Sequence, residues 1–232
     1  MLIDDELRRR IGLALNEANL LGVQFDRNSK VISCTFALVA MDKDGNVPED
    51  NRLLFIFRPV GRFVASYRMV NVDSSSETVE IFEPDSILDI VQTFQRLPIY
   101  GWDFINCGDQ IFDTWKDKLS FDYASEHGAG LTNTIDLFQD GGSRHLDLRI
   151  WFDDFEIMKP TYETVELEEF LDNGKRGWDA IYSNSEKMSH FGIIPSKSEN
   201  LPRLREKMGE MIGEREAENW WIKWKDKIIG LK

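Results

Sequence analysis

His145-Leu146-Asp147-Leu148-Arg149-Ile150-Trp151-Phe152 is the stretch that decides the fold. Leu146, Leu148, Ile150 and Phe152 fall on one side of an extended chain, and His145, Asp147, Arg149 and Trp151 on the other. Such alternation marks a strand with one apolar face. Just before it, Asp140-Gly141-Gly142-Ser143 has the composition of a hairpin turn, and residues 131–138 read as the partner strand. Together these segments predict an antiparallel hairpin.

The same logic extends toward the N-terminus. Phe63, Ala65, Tyr67 and Met69 alternate with Val64, Ser66, Arg68 and Val70, which predicts a strand. Residues 52–57 predict another, separated from the first by Pro59-Val60-Gly61. Residues 31–39 are apolar on both sides and rich in β-branched side chains, as in a central strand. Shorter strands are expected over 78–82 and 118–123, and an extended run over 99–105.

Helical spacing marks residues 4–20, stopped at Gly22. A second helix opens at Glu83-Pro84-Asp85-Ser86 and turns Ile87, Val91 and Phe94 inward until Pro98. A third covers 165–182, with Phe170, Leu171, Trp178 and Ile181 inward and Gly174 and Gly177 weakening its middle. The expected fold class is therefore α+β: a mainly antiparallel β-sheet with flanking helices and a C-terminal Trp/Lys-rich helix. The expected organisation is a body over 1–183, an irregular connection over 184–200 and a final helix over 201–232 docked on the body.

Charge narrows the function classes. The chain carries 41 acidic and 28 basic side chains, a net charge of −13. Residues 61–200 alone carry −14, while the last segment is mildly basic. Nucleic-acid binding needs clustered Lys and Arg, so that class is excluded, whereas a basic protein partner is compatible. No apolar run approaches the ~18 residues of a membrane span. Two cysteines, Cys34 and Cys107, suit free thiols in a reducing compartment, and the expected location is cytoplasmic.

Motifs for chemistry are sparse. Asp42-Lys43-Asp44-Gly45-Asn46 has its Gly in the wrong place for a calcium loop and fits a turn. Asp147, Asp153, Asp154 and Glu156 are close in sequence, but strand geometry separates them, and a solvated strand end is expected. His127 and His190 have no Cys or His at ligand spacing, so neither a metal nor a cofactor is expected. Nucleophile elbows, phosphate-binding loops and dinucleotide fingerprints are absent from the sequence.

Two features remain. His145, Asp147 and Arg149 share one strand face, where they can serve proton transfer or anion binding, or simply form cross-strand ion pairs. Trp220, Trp221 and Trp224 interleave with lysines and suit docking on the acidic body, a partner or a second copy in a homo-oligomer. The leading expectation is a non-catalytic, partner-binding protein of immunity or inhibitor type that masks a basic partner. The alternative is an enzyme or small-ligand binder using the His145/Asp147/Arg149 face.

Overall fold

The computed structural model describes residues 3–71, 76–94, 97–101, 103–126, 128–183, 185 and 187–188. The expected helix over 201–232, with Trp220, Trp221 and Trp224, lies outside the described residues, as do His127, His190 and most of the 184–200 connection.

Among the described residues, seven antiparallel strands form one sheet: β1 (Asn19–Asp26), β2 (Val31–Ala37), β3 (Arg52–Asn71), β4 (Ser76–Val79), β5 (Phe121–Ala124), β6 (Asn133–Asp140) and β7 (Arg144–Met158). Three α-helices of the described residues accompany it: α1 (Asp5–Leu15), α2 (Ile87–Gln92) and α3 (Leu167–Tyr182). The fold is α+β, with a mainly antiparallel sheet. The main path runs β1-β2-β3-β7-β6. β3 is the spine. β7 lies along one side of it from Leu54 to Met69, while β2, β5 and β4 follow one another along its other side.

Pro59 does not break β3, contrary to expectation. Proline withdraws a ladder donor, and here it falls where the neighbour changes from β2 to β5. Loop carbonyls fill the gap: the Val60 amide donates to Lys30 and the Gly61 amide to Gly130. A Cβ on Gly61 would lie 2.5 Å from the Ala129 carbonyl oxygen, so this close approach requires glycine. A register shift between Val60 and Arg62 absorbs the irregularity.

The first helix is shorter than its apolar spacing suggests. Asp4 caps it by accepting from the Leu7 amide at 2.8 Å. It ends at Leu15, and Leu20 belongs to β1, an additional strand that pairs with β2. Residues 98–99 then link the two ends of the sheet. Ile99 donates to Ala18 and bridges Gln139, while Pro98 bridges Asn19.

The inner face carries the core. Leu146, Leu148, Ile150 and Phe152 meet Phe57 and Phe63, with Ile87, Val91 and Phe94 of the α2 region in the same cluster. Phe170 of α3 packs edge-on against Phe55 at 5.2 Å, which seats the helix on the sheet. α3 runs unbroken through its glycines, which are points of close approach. A Cβ on Gly174 would lie 2.6 Å from the Ala14 Cβ, and one on Gly177 3.0 Å from the Ala40 Cα.

This contact predicts a sign reversal. Gly174→Ala should lower stability by about 1–2 kcal/mol, because overpacking against α1 exceeds the gain in helix propensity. In an Ala14→Gly background the same substitution should become stabilising, as read by urea denaturation. Equal effects in both backgrounds would contradict the packing.

Candidate functional site

The outer face of β3, β6 and β7 is ordered by register. Val64, Ser66 and Arg68 of β3 stand opposite Arg149, Asp147 and His145. On the other side of β7, Asp136, Phe138 and Asp140 of β6 stand opposite the same three residues. Residues 104–120 cross this face, tied to β6 by the Ile105–Ile135 bridge and by the Asn106 amide donating to Thr134. Phe112 and Trp115 pack over Val64 and Trp151. The polar side of β7 is thus a covered layer, and its charges need partners.

Arg149, 2% exposed, is the clamp that holds this cover. Its Nη1 donates to the Gly108 carbonyl at 3.1 Å and its Nη2 to Asp109 Oδ1 at 2.9 Å. The guanidinium lies 5.1 Å from the Phe112 ring centre and 4.9 Å from that of Trp151. Arg62 sits 5.0 Å from the same Trp151 ring and pairs with Asp122 through two bonds.

A separate chain of ion pairs runs from β7 to β4. Asp147 accepts from Arg68 Nη2, and Arg68 Nη1 contacts both Glu77 oxygens at 3.2 Å. Lys118 donates to Glu77 at 2.6 Å, and His145 lies 3.7 Å from Glu77 and 3.3 Å from Asp140. The Lys118 bond and the nearby Arg68 hold the Glu77 carboxyl below its usual range. Burial has the opposite effect on Asp147, which is pushed up to about 6 despite Arg68. His145, Asp147 and Arg149 therefore share a face but have separate partners, and the expected constellation is not one site.

Asp136 differs from all of these. It is 9% exposed, and neither carboxylate oxygen accepts a hydrogen bond from the described residues. Arg149 Nε lies 3.7 Å from Oδ1, beyond bonding distance. Closing that gap would satisfy Oδ1 and leave Oδ2 without a donor. Burial, reinforced by Asp109 and Asp147 and opposed by Arg149, pushes the Asp136 carboxyl up to about 7.

Beside Asp136 lies a cavity of about 270 Å³. Asp136, Phe138 and Asp147 line it from the sheet, and Ile111 and Trp115 from the covering segment. Tyr100 and Asp103 complete the rim. Tyr100 and Ile111 are each 49% exposed, and the buried Trp115 indole N–H has no acceptor among the described residues. Cys107 sits close enough to feel Asp136 and Asp103. Burial, with those two carboxylates, pushes its thiol up to about 12, so it is no nucleophile near neutral pH. A carboxyl that holds its proton near neutrality can bind a cation or exchange a proton with a ligand.

Other sequence candidates have structural roles. Asp42 Oδ1 accepts from the Asp44 and Asn46 amides at 2.9 and 2.7 Å, as in a turn. β7 continues through Asp153-Asp154, so this is no strand end. Asp153 instead anchors the 130–132 loop, accepting from three backbone amides and the Thr132 hydroxyl. Glu156 pairs with Arg58. No group of three or more His, Cys, Asp or Glu among the described residues is placed to hold a metal ion. A second cavity, of about 220 Å³, lies between α1, α3 and the 38–53 segment. No helix among the described residues is long and apolar enough to cross a membrane. No family model, curated protein or solved structure matches the chain.

Sequence reasoning missed Asp136, although a signal was present. The Asp140–Ser143 turn fixes the hairpin register, and that register sets Asp136 opposite Arg149.

The raised carboxyls give stability a definite pH dependence. A buried acid that ionises at about 7 in the folded chain but near 4 unfolded binds its proton more tightly when folded. Its cost accumulates as pH rises between those values. Asp136→Asn mimics the protonated form. It should raise stability by roughly 2–4 kcal/mol more at about pH 8 than at about pH 4. Urea midpoints that move in parallel at both pH values would contradict this.

Proposed function

We propose that the protein binds a small molecule in the cavity between the 100–103 rim, Trp115 and the β6–β7 floor, with Asp136 as its polar anchor. The unsatisfied, buried carboxylate of Asp136 carries this reading. Leaving a buried polar atom without a partner costs about 1–3 kcal/mol, more for a charge, and such groups concentrate at functional sites. Asp136 is one of the residues that line the cavity, which sets a bound molecule beside that carboxylate. The cavity volume of about 270 Å³ lies just below the usual range for drug-sized ligands, so the ligand is compact.

This is the small-ligand reading of the β7 face, with its centre moved. Asp147 stays in the site, Arg149 serves as the clamp of the cover, and His145 joins the ion-pair chain to Glu77. The immunity- or inhibitor-type proposal, with a basic protein partner, has the net charge of −13 in its support and ranks second. A cytoplasmic setting is supported by the two free thiols.

The test is a thermal-shift screen of the full chain near neutral pH. Its library spans amines, carboxylates, sugars and nucleosides, and Asp136→Asn runs in parallel. At least one compound should raise the melting temperature of the wild type by several degrees and that of the variant by far less. A screen without hits, or with hits indifferent to Asp136, would overturn the proposal.

A further inference from the structure

We infer that the ligand of this cavity is a small organic cation, an amine or guanidine, whose N–H groups donate to Asp136 and Asp147 while its body lies among Tyr100, Trp115 and Phe138. The inference rests on the small-molecule reading above and adds the chemical class.

The sign of the lining comes first. Three of the residues lining the cavity are acids, Asp103, Asp136 and Asp147, and none of the described lining residues is basic. The arginines nearest in register are committed elsewhere: Arg149 to Gly108 and Asp109, Arg68 to Asp147 and Glu77. An anionic ligand would meet carboxylates whose nearest counter-charges, Arg68 and Arg149, are already engaged. A neutral ligand would leave Arg149, 3.7 Å away, as the counter-charge to the buried Asp136, or the carboxyl protonated.

Directionality argues for an organic cation over a bare ion. Asp147 stands opposite Phe138, two residues along β6 from Asp136, so the two carboxylates occupy diagonal positions on adjacent strands. Diagonal positions are roughly 7–8 Å apart at the backbone, and where the side chains converge across that gap a forked guanidinium, or the three N–H groups of an ammonium, can donate to both carboxylates. A divalent metal would need further oxygen ligands, and no such group is assembled among the described residues.

The walls agree with this class. Tyr100, Trp115 and Phe138 present aromatic rings to the cavity, and a cation over such faces is held by the ring quadrupole. The orphan indole N–H of Trp115 suits a ligand that also carries an acceptor, such as a hydroxyl. A chain of net charge −13 draws cations toward it. The volume suits a ligand on the order of ten non-hydrogen atoms.

The experiment uses one skeleton in three charge states on the full chain: tyramine, its neutral alcohol tyrosol and its anionic acid 4-hydroxyphenylacetate. Agmatine is added as the guanidinium probe. Binding is read by calorimetry at physiological ionic strength, and Glu126→Gln controls for loose attraction to an acidic surface. Tyramine or agmatine should bind, roughly tenfold or more weakly to Asp136→Asn and unchanged to Glu126→Gln. Tyrosol and the acid should not bind. Cation binding that is indifferent to Asp136 would overturn the inference. So would Asp136-dependent binding confined to neutral or anionic compounds, in these titrations or the wider screen, though that result would leave the small-molecule reading standing. Absence of any Asp136-dependent ligand would overturn both.

Discussion

Everything described depends on β3 and β7 pairing along nearly their whole length with both faces covered. The inner face is apolar and forms the core with α2, α1 and α3. The outer face carries Arg68, Asp147 and Arg149, which must find partners once residues 104–120 exclude water from them. Arg149 serves that need twice. It bonds the backbone and side chain of the covering segment and stacks against Phe112 and Trp151, so the charge being covered also fastens the cover.

Within this layer the electrostatics divide in two. Around Glu77, Arg68 and Lys118 converge on one carboxylate with His145 beside them, and its ionised form is favoured. Around Asp136 the acids outnumber their partners. Arg149 is drawn toward Gly108 and Asp109, and the carboxyl retains its proton toward neutrality. The same clamp that closes the layer therefore leaves one buried acid without a bonded donor among the described residues. That acid borders a cavity whose exposed lips are Tyr100 and Ile111.

Much of the fold was legible in the residues. Alternation in β7 and the turn before it predict the hairpin, but Asp136, which its register sets opposite Arg149, went unread. Apolar spacing carries on past Leu15 into Leu20, so the expected helix runs into the first two residues of β1. Local periodicity does not register that Asn19 and Leu20 pair with Ala37 and Phe36. Pro59 looked like a break because a sequence does not display the Lys30 and Gly130 carbonyls that serve the strand there. Alternation tells which side chains point away from the core but not whether another layer covers them. The cover itself, irregular and anchored by Phe112 and Trp115, has no period to detect.

The central claim is that Asp136 is a buried carboxyl awaiting a cationic partner. It is tested most directly by carbon-13 NMR of the aspartate carboxyl groups through a pH titration, with Asp136→Asn used for assignment. In the free protein the Asp136 resonance should titrate at about 7, and saturating agmatine should bring it down toward the ordinary carboxylate range. An Asp136 carboxyl that already titrates near 4 in the free protein would contradict the account.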